Sequence, residues 1–226
     1  MKAVKKFAGN FLRDYYWRKR RILFIPYGND ESVESFAKLF DKVSGEVELL
    51  QARAEAFLLY SCALKTNKLK GDIAEVGVYQ GGSARLICEV KGKRKLFLFD
   101  TWEGLPYDDE YDANMKKGCY KAEFEAAKSY LKGFDGVSFH RGVFPGTSGV
   151  IKDKKFSLVS LDLDLYKATK ESLEFFYPRM VKGGVIISHN YKDLSGVKKA
   201  FDSFFRDKPE LVLGLNNSQV LVQKTC

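Results

Sequence analysis

The sequence predicts an α/β protein built on a doubly wound, mostly parallel sheet. From Lys70 onward, short apolar runs alternate with segments of helical spacing, the pattern of a parallel sheet with helices on both faces. The runs are continuously apolar, as strands covered on both sides are. The chain then closes with Leu211–Leu215 and Val220–Lys224 around Asn216-Asn217, which reads as a C-terminal antiparallel hairpin. Seven strands are expected in all.

Before that region, residues 31–66 carry apolar residues at three- and four-residue intervals in ESVESFAKLFDKV and VELLQARAEAFLLYSCALKTN. Two helices are expected, with a break at Ser44-Gly45. Asp72–Val78 is the first buried strand and Gly81–Glu89 the helix after it. Lys95–Thr101 is the second strand, Lys121–Leu131 a helix and Val137–Val143 the third strand. Phe156–Leu163 is the fourth strand. Lys170–Met180 is a helix ended by Gly183-Gly184, Val185–His189 starts the fifth strand, and Ser195–Arg206 is a helix. With only 5 prolines and no low-complexity tract, no linker is visible. The expected division is a helical extension over 1–44 and one sheet domain over 45–226.

Composition narrows the class. At 226 residues, 45% hydrophobic and 30% charged, the chain is globular. No apolar run reaches about 18 residues, so a membrane-spanning helix is not expected. The start, MKAVKKFAGNFLRDYYWRKRR, lacks a secretory h-region. Cys62, Cys88, Cys119 and Cys226 are scattered with no CxxC, so reduced thiols in the cytoplasm are the expectation.

Charge is uneven. Residues 1–21 hold eight basic residues against Asp14 alone, which leaves +2 of the net +9 for the rest of the chain. Phe7, Phe11, Leu12 and Tyr15 fall at helical spacing within that run. A basic amphipathic helix over residues 1–25 suits a membrane surface or a protein partner, including a second copy of the chain. The simpler reading is a helix packed on the domain with its charges solvated.

Chemistry gathers at the strand ends. In doubly wound sheets ligands lie beyond the carboxyl ends of the strands, where the strand order reverses. The first strand runs out in Glu75-Val76-Gly77-Val78-Tyr79-Gln80-Gly81-Gly82-Ser83. Gly77, Gly81 and Gly82 admit close backbone approach, and the following helix start offers free N–H groups. The second strand ends in Asp100, placed to accept hydrogen bonds from both hydroxyls of a ribose. The spacing is E-x-G-x-x-x-G rather than GxGxxG, which favours a nucleoside over a dinucleotide pyrophosphate.

GDIAEVGVYQGGSA resembles the first motif of class I S-adenosylmethionine-dependent methyltransferases. KLFLFDTWEGLP, RGVFPGT and LDLDLYKATKESLEFFYPRMVKGGVIISHNY are similar, in the same order, to the macrocin O-methyltransferase family, which acts on sugar hydroxyls of natural products. The resemblance covers roughly residues 45–226. It implies a Rossmann-like methyltransferase fold and S-adenosylmethionine as cofactor. It also implies that Glu75, Gly77 and Ser83 line the methionine moiety, that Asp100 holds the ribose, that Thr101 and Trp102 flank the adenine, and that Gly142 and Phe144 approach the adenosine. A sugar or other small-molecule hydroxyl is the implied acceptor.

A second constellation lies on the same rim. The fourth strand ends in Asp162-Leu163-Asp164-Leu165-Tyr166 and the fifth in His189-Asn190-Tyr191. Asp162, His189 and Asn190, with Asp164, could hold a divalent cation that lowers an acceptor's pKa. The family resemblance places Asp-Asp-Tyr where His189-Asn190-Tyr191 stands, so magnesium is disfavoured and a transition ion suits the imidazole better. Alternatively the site is metal-free, with His189 or Asp164 as general base, or it is a strand-end network without chemistry. His140 is a weaker base candidate. The acidic loop around Asp108, Asp109, Glu110 and Asp112 reads equally as a mobile lid or a solvated loop.

Other functions keep a place. A nicotinamide-dependent oxidoreductase shares the acid after the second strand but wants GxGxxG. A non-catalytic module tethered through its basic arm is a further reading. Nucleic-acid methylation is disfavoured, because Asp164-Leu165-Tyr166 lacks the Pro-Pro of base-amine enzymes.

Overall fold

The computed structural model describes residues 31–226. Helix α1 (Glu31–Glu46) and α2 (Arg53–Lys65) precede the alternating region. It then runs β1 (Asp72–Val76), α3 (Gly82–Val90), β2 (Leu96–Asp100), α4 (Phe124–Tyr130) and β3 (Val137–Arg141). β4 (Phe156–Leu161), α5 (Tyr166–Phe176), β5 (Met180–Ser188) and α6 (Ser195–Phe205) follow, and β6 (Leu213–Gly214) and β7 (Val220–Gln223) close the chain.

The seven strands lie in the order β3-β2-β1-β4-β5-β7-β6. β1 to β5 pair in parallel, and β7 runs antiparallel to both β5 and β6. The strand order therefore reverses between β1 and β4, which makes the rim above them the natural ligand position. The expected sheet and hairpin are both present.

Side-chain alternation sorts each strand between two cores. Ala74, Val76, Phe97, Phe99, Val159, Leu161 and Ile186 pack with Leu173 and Phe176 of α5 and Val197 and Phe201 of α6. Ile73, Leu96, Leu98, Leu158, Val185 and Ile187 pack with Leu59 of α2, Ala84 and Ile87 of α3 and Ala127 of α4. Glu75, two residues on from Ile73, belongs to this second face.

Several boundaries differ from the sequence reading. α1 runs through Ser44-Gly45, and Phe36 and Val43 are buried with Ala56 and Leu86. The expected division at residue 44 thus falls inside a helix packed on the domain. Residues 47–52 are not helical, although their spacing is apolar at helical intervals. A side chain here, Leu49, packs where Gly82 leaves room: a Cβ on Gly82 would lie 2.9 Å from Leu49 Cδ1. β5 begins at Met180 and passes through Gly183-Gly184 instead of starting after them, with a register shift against β4. Residues 1–25, and the basic arm read there, lie outside the described residues. Among the described residues no helix is long and apolar enough to cross a membrane. All four cysteines are free.

The strand crossing explains Gly77. Its φ is +88°, and a Cβ there would lie 1.8 Å from the Asp162 carbonyl oxygen. The residue is glycine because the ends of β1 and β4 touch, a constraint from the fold itself. Gly77→Ala is expected to destabilise the protein by about 3 kcal/mol or more, from backbone strain plus overlap. Denaturant unfolding reads this directly, and an unshifted midpoint would contradict it.

Candidate active site

A cavity of about 360 Å³ opens over the carboxyl ends of β1, β2, β4 and β5, within the range of small-molecule sites. Of the residues singled out by sequence, Gly77, Ser83, Asp100, Thr101, Gly142 and Phe144 line it, as do Asp162, Asp164, His189 and Asn190. The two constellations therefore share one space.

Asp100 is the hub of the half over β1 and β2. Its Oδ2 accepts the N–H groups of Val78 at 2.7 Å and Tyr79 at 2.8 Å, and its Oδ1 accepts that of Trp102 at 2.8 Å. One carboxylate thus fixes the turn after β1 and the chain leaving β2. Three of the carboxylate's four lone-pair sites are thus taken, which leaves one, on Oδ1, for a ligand hydroxyl. Tyr79 takes a left-handed φ of 52° in this turn, a costly conformation for an aromatic residue.

Three expected ligand neighbours do not line the cavity. Trp102 is only 1% exposed, and its indole N–H donates to the Tyr79 carbonyl at 3.0 Å. It braces the turn from behind rather than flanking an adenine, because its apolar ring finds Phe124 at 4.7 Å in the core. Gly81 serves as the left-handed N-cap of α3, at φ 87°, a backbone conformation that by itself favours glycine. Glu75 is fully buried beneath the turn, and neither carboxylate oxygen has a hydrogen-bond partner. Burial pushes it up to about 8 against an opposing pull from Ser83, and the charges of Asp162 and Asp100 add smaller upward contributions. An unpartnered buried carboxylate is unusual.

The other half is built on β4 and β5. Asp164 and Asn190 both adopt left-handed backbone, at φ 60° and 59°, which Asp and Asn tolerate best among non-glycine residues. These turns face each other, and the Asn190 amide donates to Asp164 Oδ1 at 2.5 Å. Burial and the neighbouring charge of Asp162 raise Asp164 to about 6, against the effect of the Asn190 bond.

His189 is held on both sides. Its Nδ1 lies 3.4 Å from Asp162 Oδ1 and its Nε2 3.2 Å from Glu55 Oε2. Burial alone would lower its pKa, but the two carboxylates outweigh burial and raise it to about 11. Glu55 in turn falls to about 2: burial opposes its charge, but His189, the Ser218 hydroxyl at 2.7 Å and the Ala52 N–H at 2.7 Å favour it more. The two carboxylates thus favour the imidazolium form of His189, which has no ring lone pair with which to act as a base or bind a metal.

The metal expectation can be tested against this donor set. Asp162 faces His189 through Oδ1 and the Gln51 amide, at 3.4 Å, through Oδ2. Asn190 is turned to Asp164. Among the described residues, no group of three or more His, Cys, Asp or Glu side chains is arranged to hold a metal ion. As arranged, Asp162, His189 and Asn190 do not fit a divalent cation. His140 does not line the cavity; it stacks on Phe99 at 4.8 Å, and burial lowers its pKa.

Sequence reasoning missed Glu55, Gln51, Tyr79 and Tyr120. The first was hidden in an apolar helical run, ARAEAFLLY, and Gln51 in residues expected to be helical. Tyr120 lines the cavity at 45% exposure and at a left-handed φ of 61°.

The sheet order, the antiparallel C-terminal hairpin and the cavity over the β1–β4 reversal define a Rossmann-like fold of the methyltransferase class. The known protein structure of the O-methyltransferase NovP superposes with a TM-score of 0.68 at 22% identity, over 76% of this chain and 79% of that one. Residues 52–218 match the macrocin-O-methyltransferase (TylF) family, and the chain belongs to that family. Among curated relatives, the 8-demethyl-8-(2,3-dimethoxy-alpha-L-rhamnosyl)-tetracenomycin-C 4'-O-methyltransferase of Streptomyces olivaceus is 28% identical over 138 residues, 54% of this chain and 53% of that protein. The mycinamicin III 3''-O-methyltransferase of Micromonospora griseorubida is 29% identical over 140 residues, 54% and 55% of the two chains. The match thus spans about half the length of these relatives.

Proposed function

We propose that the protein is an S-adenosylmethionine-dependent O-methyltransferase acting on a hydroxyl of a sugar-bearing small molecule. The observation that carries this reading is the joining of two sets of groups in one cavity. The Gly77–Ser83 turn with Asp100 forms one wall, and Asp164 stands on the other. Family membership supports the reaction class, and the rhamnosyl group in the name of the Streptomyces olivaceus relative supports a sugar acceptor.

S-adenosylmethionine supplies an electrophilic methyl group on a sulfonium. The protein's task is to orient the two reactants and accept one proton. Asp100, already rigid through three backbone bonds, receives a ribose hydroxyl at Oδ1. Asp164 takes the proton from the acceptor hydroxyl: it faces the cavity, is held by Asn190, and titrates near the working range of a base. Asp162 and Glu55 keep His189 charged, and that cation offsets the crowding of carboxylates on the rim.

The test is transfer of tritiated methyl from S-adenosylmethionine to 4-nitrophenyl α-L-rhamnopyranoside and related rhamnosides. Label in the glycoside, dependent on Asp164, supports the reading; no label in any glycoside contradicts the acceptor class. Because the rim donors do not fit a divalent ion, treatment with a chelator is expected to leave the rate unchanged. Stimulation by added magnesium would contradict that.

A further inference from the structure

Helices α5 and α6 both begin after a leucine, Leu165 and Leu194, and neither leucine can cap the helix with its side chain. Their first N–H groups are instead met from a distant loop. Asp109 Oδ2 accepts the N–H of Tyr166 at 2.7 Å. Asp112 Oδ1 accepts the N–H of Ser195 at 3.0 Å and its Oδ2 that of Gly196 at 2.7 Å. These are N-cap bonds, favoured further by the positive end of each helix. Gly196 is what admits both acids: a Cβ there would lie 2.9 Å from Asp109 Oδ1 and 3.1 Å from Asp112 Oδ2. Tyr111 adds a third tie, its ring 4.7 Å from that of Tyr166 and its hydroxyl bonded to Lys199 at 2.7 Å.

The same loop is closed at its neck. The N–H of Leu105 donates to the Cys119 carbonyl at 2.8 Å and that of Gly118 to the Leu105 carbonyl at 2.9 Å. Beside this neck, Gly104, Leu105, Pro106 and Tyr120 line the cavity. Tyr120 shares that lining with Asp162 and Asp164. Asp109 and Asp112 are thus tied to two helix starts, while Asp108 and Glu110 of the same loop remain exposed.

The geometry points to Asp109 and Asp112 as positioning residues for methyl transfer: from outside α5 and α6 they fasten segment 104–120 as the acceptor-side wall of the cavity. The inference rests on the transfer reading above. It gives the acidic loop a mechanical role, since the capped N-terminus of α5 directly follows Asp164 and Leu165, so one carboxylate links the wall to the proton acceptor.

Hydrogen exchange on the full chain, with S-adenosylhomocysteine as probe, tests it. In Asp109→Ala/Asp112→Ala, exchange across 104–120 and at the starts of α5 and α6 is expected to quicken about tenfold or more, with β1 and β4 unchanged. Affinity for S-adenosylhomocysteine is expected to stay within about twofold, while KM for the rhamnoside probe rises about fivefold or more. Unchanged exchange in 104–120 would overturn the inference, and so would equal quickening across the sheet. So would a tenfold loss of S-adenosylhomocysteine affinity, because the pair would then serve the cofactor half. If the double variant does not fold, Asp109→Ala alone carries the same comparison. A wild-type chain that binds no S-adenosylhomocysteine would instead overturn the transfer reading, and the exchange result would still decide whether the loop is fastened.

Discussion

Replacing Asp100 with alanine is expected to weaken S-adenosylhomocysteine binding about a hundredfold or more. The reason lies in what the carboxylate already does. It accepts three backbone N–H groups, from Val78, Tyr79 and Trp102, and hydrogen bonds to a charged group contribute about 1.5–3 kcal/mol each. Alanine leaves those donors without their partner and frees the turn that must meet the cofactor. It also deletes the acceptor for a ribose hydroxyl. A hundredfold corresponds to about 2.7 kcal/mol, less than two such bonds. Calorimetric titration measures the loss, and a melting curve separates it from unfolding. Unaltered affinity would show that this acid does not serve the ligand.

Asp164→Asn is expected to lower kcat by about 10²–10⁴, the usual contribution of a general base, with S-adenosylhomocysteine affinity retained. The amide keeps the shape and can still accept from Asn190, so the turn survives while the proton acceptor is lost. The pH profile follows from the same group. Burial first, and Asp162 second, raise Asp164 to about 6. Below that pH the carboxyl carries its own proton and cannot take another. The wild-type rate should therefore climb as pH rises through about 6 and level off above it, and the Asp164→Asn residue rate should lack this step. A profile flat through that range would assign the proton elsewhere. His189, held as a cation between Asp162 and Glu55, is not the group that would produce it.

The sheet was legible because its signal is local. Continuous apolar runs mark strands covered on both faces, and acids or glycines at their ends stand out against them. That pattern located Asp100, Asp162, Asp164 and His189 on a single rim. Illegible features depend on partners far apart in sequence. Residues 47–52 have helical spacing, yet Leu49 is drawn to the Gly82 backbone and Gln51 to Asp162, 111 residues away. Glu55 meets Ser218 across 163 residues. Asp109 and Asp112 reach helix starts 57 and 83 residues on, so their charges looked solvated. Gly77 lines the cavity as expected, but the close neighbour that demands glycine there is the Asp162 carbonyl, 85 residues on. Trp102 follows the ribose acid directly, but burial of its ring turns it away from the cavity.

The central claim is that the rim between β1 and β4 seats a sulfonium nucleoside. Titration of the purified chain with S-adenosylmethionine, S-adenosylhomocysteine and NAD⁺ in parallel tests it most directly. The account predicts one site per chain for each of the first two, weakened together in Asp100→Ala, and no heat with NAD⁺. Saturable binding of NAD⁺ with none of S-adenosylmethionine would contradict it.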